Sequence, residues 1–232
     1  IYRSKDEGST GEIVIGDGED TNTHIDMASS VVMGAAMGSD ENVGPIMRSV
    51  DGENWINISP ANFPLQYGRI TVDVSESNDS VAYVIANQER DGDHYLWKYK
   101  YKSEDGAGIN GVWTDLSQNL PNGFRSQGGY DLYVRINPYD HTKVYLGGVN
   151  AYYSETGFET SSSRKIGGSG VSNHHADQHE VVFIDSNTFL STHDGGISLS
   201  KDTVSNIIQW EAINNGYVTC LLYTSPSPRD DR

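Results

Sequence analysis

Apolar residues fall in short runs, alternating or continuous, with polar turns between them. Ile70-Thr71-Val72-Asp73-Val74 is followed by a Ser/Asn turn and by Val81-Ala82-Tyr83-Val84-Ile85. Leu132-Tyr133-Val134-Arg135-Ile136 is followed by Asn137-Pro138-Tyr139-Asp140 and Val144-Tyr145-Leu146. Val181-Val182-Phe183-Ile184 leads through Asp185-Ser186-Asn187 into Phe189-Leu190-Ser191. Runs of this length bounded by turn residues predict β-strands, and no stretch sustains a 3.6-residue period, so helices should be few.

A second pattern recurs between these pairs. Ser-x-Asp after an apolar or aromatic run stands at Ser4-Lys5-Asp6, Ser49-Val50-Asp51, Ser103-Glu104-Asp105 and Ser200-Lys201-Asp202, with Gly following in the first three. A degenerate copy, Ser154-Glu155-Thr156-Gly157, fills the remaining gap. The interval is 45 residues from Ser4 to Ser49, 54 to Ser103, 51 to Ser154 and 46 to Ser200. Trp55, Trp113 and Trp210 each follow a copy, whereas the degenerate one has Thr160-Ser161-Ser162-Ser163 instead. Each unit therefore reads as strand A, strand B, strand C ending in Ser-x-Asp, and strand D starting at Trp. A period of about 40–50 residues built from short strands predicts propeller blades. The expected fold is all-β: a partial β-propeller of about four four-stranded antiparallel blades, with repeats near 1–15, 25–58, 69–116, 131–166 and 179–213.

Charge narrows the partners. With 16 Lys and Arg against 32 Asp and Glu, the net charge of −16 opposes phosphate backbones and anionic lipid, so neither nucleic acid nor membrane insertion is expected. The single cysteine, Cys220, leaves no internal disulfide and no multi-thiolate metal site.

The order Ser-x-Asp, Gly, Trp resembles the Asp-box (BNR) repeat of sialidases, xyloglucanases and sortilin (VPS10) propellers. The spacing departs from the usual one: Asp51 to Trp55 is one residue short, and Asp105 to Trp113 and Asp202 to Trp210 carry insertions. Gly129-Tyr130-Asp131-Leu132, Tyr145-Leu146-Gly147-Gly148-Val149-Asn150, His175-Ala176-Asp177-Gln178-His179 and Asp194-Gly195-Gly196-Ile197 are similar to secreted bacterial sortilin-like and glycosyl-hydrolase-like propellers. The resemblance implies an extracellular or cell-surface protein. It implies structural roles for Ser49, Asp51, Trp55, Ser103, Asp105, Trp113, Ser200, Asp202 and Trp210, the Ser and Asp bonding backbone amides in the C–D turn and the Trp packing between blades. Cys220 to Asp230 resembles a translated transposase-type sequencing adaptor, so the propeller is expected to span 1–219 and the tail 220–232 to be non-native.

In a four-stranded meander the start of A and the B–C loop share one face, and the C–D turn lies on the other. A ligand site is therefore expected where the A strands begin. Aligning them on Val74, Ile136 and Ile184 places Arg69, Asp131 and His179 at one rim, with Asn150, His193 and Asp194 on its B–C loops. The densest chemistry is His175-Ala176-Asp177-Gln178-His179. In extended backbone His175, Asp177 and His179 share a side, and two imidazoles with a carboxylate suit a divalent metal such as Zn²⁺. The same groups also suit a ligand or acid/base site, and before either a hydrogen-bonded cluster pinning the inter-blade loop to Asp194.

Two functions follow. One is a non-catalytic module binding a glycan or protein ligand at the channel face, through Arg69, Asp131, Asn150, His175, Asp177, His179, His193 and Asp194. The other, implied by the resemblance, is a glycoside hydrolase of xyloglucanase or sialidase kind, for which Asp131 and Asp177 are the carboxylate pair. Arg69 is the one basic rim position, short of the arginine cluster a sialidase would need.

Overall fold

The structure is a computed structural model, and it describes residues 2–13, 24–28, 31–35, 46–64, 67–88, 92–101, 111–128, 130–202 and 207–216. Ser103, Asp105 and the 220–232 tail lie outside these.

Four antiparallel four-stranded sheets follow one another along the chain. The first blade is β3 (His24–Ala28), β4 (Val31–Ala35), β5 (Ile46–Ser49) and β6 (Ile56–Asn57), preceded by the pair β1 (Tyr2–Arg3) and β2 (Glu12–Ile13). The second is β7 (Arg69–Val74), β8 (Val81–Asn87), β9 (His94–Lys100) and β10 (Val112–Asp115). The third is β11 (Tyr133–Asn137), β12 (Asp140–Gly147), β13 (Ala151–Ser154) and β14 (Arg164–Gly167). The fourth is β15 (Gln178–Phe183), β16 (Phe189–His193), β17 (Gly196–Ser200) and β18 (Glu211–Ala212). Among the described residues the helical content is one 3-10 turn, Ser117–Asn119. The first strands β3, β7, β11 and β15 pack side by side in sequence order, so the fold is part of a β-propeller.

Burial on both faces of a blade explains the continuous apolar runs. In β8, Ala82, Val84 and Ala86 pack into a core with Ile46, Ile58 and Val72. The intervening Val81, Tyr83 and Ile85 pack the other way, onto Leu132, Val134 and Ile136. A third core joins Tyr133, Tyr145 and Ile166 to Val181, Phe189 and Trp210. Each inter-blade junction is thus one apolar core, the arrangement a sheet needs when both faces are covered. The aromatic row on β9 belongs to this packing: Trp97 and Tyr99 are buried, and their rings lie 6.4 and 4.9 Å from that of Trp113.

Two tryptophans tie a blade to the one before it. Trp113 Nε1 donates to the Ile58 carbonyl at 2.5 Å, and Trp210 Nε1 to the Ile166 carbonyl at 2.7 Å. Trp55 departs from this pattern: it is half-buried and its Nε1 meets no acceptor among the described residues. The Ser-x-Asp turns fold alike at 4–6 and 49–51. Serine Oγ donates to aspartate Oδ1 at 2.8 and 2.9 Å and accepts Gly8 and Gly52 N–H, both at 2.8 Å. Asp51 also accepts from Glu53 and Asn54 N–H, and these bonds, Asn54 first, hold its carboxyl well below the usual range. Ser200 bonds the Asp202 backbone, and the degenerate turn substitutes a hydroxyl pair, Ser154 and Thr156 at 3.3 Å.

The A-strand alignment needs one correction. Ile184 is 57% exposed, whereas Val74 and Ile136 are buried. Val181 and Phe183 are the residues that pack on the preceding blade, and a register shift between Gln178 and Glu180 takes up the offset.

Candidate functional site

At the end of the blades where β11 and β15 begin, two entry loops and two B–C loops are stitched together through backbone. Val149 N–H donates to Arg125, Asp177 N–H to Val149, Gln178 N–H to Gly148, and Asp194 N–H to Asp177. Asp177 is set by this weave in the left-handed region, φ +62°. A short polar side chain tolerates that conformation better than most.

Two linked clusters stand on this frame. In the first, Asp194 Oδ1 accepts from Tyr130 Oη at 2.7 Å and from His179 Nε2 at 2.8 Å, while the Tyr130 and His179 rings meet edge-on at 5.0 Å. Burial works to raise the Asp194 carboxyl, but the bonds from Tyr130 and His179 hold it below its ordinary value. The hydrogen bond to Asp194 raises the Tyr130 phenol in turn. Arg69 Nη1 donates to the Tyr130 carbonyl at 3.2 Å, bringing the second blade to the same rim.

In the second cluster Gln127 joins the two nominated carboxylates. Its backbone N–H donates to Asp131 Oδ1, and its Nε2 to Asp177 Oδ1 at 2.6 Å. Asp131 is fully buried and its Oδ2 has no hydrogen-bond partner among the described residues. Burial first, then the nearby Asp177 charge, push the Asp131 carboxyl up to about 6 against the Gln127 bond.

The remaining sequence candidates lie beside this rim, with their polar atoms turned to local partners. The side-sharing argument for His175, Asp177 and His179 fails, because β15 begins only at Gln178 and the left-handed Asp177 breaks the alternation. His175 turns its Nδ1 onto the Ala176 carbonyl at 3.0 Å. Among the described residues no three His, Cys, Asp or Glu side chains are grouped to hold a metal ion. His193 is buried, not displayed: Ser198 Oγ donates to the Asn173 carbonyl and so accepts from His193 Nε2–H. His174 lies behind it, accepting Gly168 N–H on Nδ1 and facing Ser191 Oγ from Nε2. Burial lowers the two imidazoles to about 3 for His174 and about 4 for His193, so both are neutral. Gly167 is required here, since a Cβ would come within 2.5 Å of the His174 ring. Asn150 Oδ1 caps Ser169 N–H and serves the loop.

A further polar centre lies on the inner strands, built from residues that the sequence marks only as members of apolar strands. Arg135 grips Glu180 through Nε at 3.1 Å and Nη2 at 2.6 Å, and gives Nη1 to Asp73, with Asp26 at 4.0 Å. Asp73 Oδ2 accepts Ile136 N–H at 2.5 Å, and Asp26 Oδ2 accepts Val74 N–H at 2.7 Å, so carboxylates cap the free edge of the following blade. Burial pushes the Asp73 carboxyl up in spite of Arg135. A charged residue inside each apolar A strand was the available signal.

Neither a protein-family profile nor a curated protein sequence matches the chain. Solved structures do resemble it in shape. The Niastella koreensis GH74 enzyme superposes over 79% of this chain with a TM-score of 0.51 and 16% identity. The chain spans 28% of that enzyme's length. The PQQ-bound aldose sugar dehydrogenase of Streptomyces coelicolor covers 83% of the chain and 62% of its own at 11% identity, TM-score 0.44. YCF48 bound to D1 peptide covers 87% of the chain and 71% of its own at 9% identity, TM-score 0.37. The GH74 likeness agrees with a propeller fold and, at this identity, carries only the fold.

Proposed function

We propose that the chain is part of an extracellular Asp-box propeller that binds a neutral glycan at the rim formed by Tyr130, Asp177, His179 and Asp194. The observation that carries this reading is Tyr130. Its ring is half exposed yet clamped, with its hydroxyl on Asp194 and its edge against His179. A fixed aromatic face bordered by carboxylates suits a sugar ring, whose C–H face stacks while its hydroxyls donate to acidic oxygens. The surrounding acidity disfavours anionic sugars. The Asp-box reading draws on the bonded Ser-x-Asp turns, and the extracellular assignment rests on that resemblance.

The second reading, glycoside hydrolysis, is favoured by one feature: the buried Asp131, raised to about 6, next to Asp177. One carboxyl with a raised pKa near a second carboxylate is what such hydrolysis requires.

Calorimetric titration with neutral oligosaccharides of xyloglucan, mixed-linkage β-glucan and mannan tests the binding reading. Tyr130→Ala should weaken the best ligand about tenfold, from the lost stacking and hydrogen bond. Binding that ignores Tyr130→Ala, or no binding across the panel, rejects it. Release of reducing ends, abolished by Asp131→Asn, would select hydrolysis.

A further inference from the structure

The charged centre on the inner strands opens into a cavity of about 330 Å³ at the end of the blades away from the Tyr130 rim, beside the A–B turns. Its polar lining is Asp26, Asp73, Glu76 and Arg135, and the rest of the wall is apolar, including Met27, Tyr139 and Val182. Those three are 65%, 56% and 49% exposed and come from the first, third and fourth blades, so an apolar strip crosses the mouth of an acidic floor.

The charges do not balance. Among the described residues Arg135 is the only cation in this lining, and Asp73 and Glu180 already occupy its donors. Even with Asp73 protonated, Asp26, Glu76 and Glu180 stand against one guanidinium. Asp26 is 4.0 Å from Arg135, and Glu76 is exposed at the lip. An excess of acid within an apolar frame attracts an organic cation with apolar flanks.

We propose that this cavity docks an arginine side chain carried by an extended segment of a partner protein. Its guanidinium lies between Asp26 and Glu76, and its apolar neighbours lie on Met27, Tyr139 and Val182. Arginine fits better than lysine because its planar fork pairs with two carboxylates at once. The width of the apolar strip, reaching over three blades, calls for a peptide and not a lone amine. The site is independent of the glycan rim.

The test is fluorescence anisotropy with a labelled, acetylated Leu-Arg-Leu peptide amide and its citrulline counterpart, an isostere without the charge. The arginine peptide should bind about tenfold more tightly than the citrulline one, since charge-assisted bonds are lost in the second. Glu76→Lys should weaken the arginine peptide by about fivefold or more and leave the citrulline peptide unchanged, because Glu76 acts through charge. Tyr139→Ala, also at an exposed position, should weaken both peptides. Equal affinity for the two peptides, no measurable binding, or an arginine peptide indifferent to Glu76→Lys and Tyr139→Ala overturns the proposal.

Discussion

Replacing Arg135 by Met keeps most of the alkyl stem and removes the guanidinium that three inner-strand carboxylates share. Asp73, 2% exposed, retains its bond from Ile136 N–H but loses its counter-charge. Breaking a buried pair from one side costs about 3–5 kcal/mol. Arg135 is 25% exposed and Asp73 can take up a proton, so the lower end, about 3 kcal/mol, is expected. Burial already raises the Asp73 carboxyl, and losing Arg135 raises it further. A carboxyl raised in the folded state stabilises below its unfolded pKa and loses that contribution as pH rises. The deficit of Arg135→Met relative to wild type should therefore grow from pH 5 to pH 8. Urea unfolding at both values measures it, and Asp73→Asn placed in the same chain should recover at least half, because Asn still accepts from Ile136. A loss under about 1 kcal/mol, or simple addition of the two single losses, would refute the shared-charge account.

Trp210→Ala should cost about 3–5 kcal/mol in the same assay, since it removes the inter-blade bond to Ile166 and the ring contacts to His174 and Phe189. Gly157→Ala should destabilise by about 1–3 kcal/mol. Gly157 has φ +58°, and an added Cβ would sit 2.1 Å from the buried Tyr83 hydroxyl. Stability should fall as pH drops from 7 towards 4.5, because His174 and His193 are held neutral at about 3 and about 4, so the unfolded chain takes up more protons there. Asp131, raised to about 6, opposes that trend by favouring the folded state as it is protonated, so Asp131→Asn should steepen the acid loss in thermal scans. An unchanged slope would remove Asp131 from the account.

What could be read beforehand followed from periodicity. The A and B strands were legible because a strand covered on both faces, as in β8, can only be a short continuous apolar run. The Ser-x-Asp turns were legible because their bonds are local, within four residues of each other. The rim was legible in part: meander topology brought Arg69, Asp131 and His179 to one end. The partners were not, since Gln127 and Tyr130 act through contacts of 50 and 64 residues' separation. The grouping of His175 with Asp177 and His179 misled because alternation assumes extended backbone, and Asp177 is left-handed. Arg135, Asp73 and Glu180 escaped notice because each looks like an isolated polar residue in its own strand, and only the junction of neighbouring blades makes them one network.

The most direct test of the proposed rim is NMR of ring-labelled histidine and tyrosine during titration with the neutral oligosaccharide that binds best in calorimetry. Tyr130 and His179 ring signals should move together with saturation, while His141, on β12 near the A–B turn at the opposite end, stays in place. Saturable binding that shifts His141 and leaves Tyr130 and His179 unmoved would contradict the assignment of the glycan to this rim.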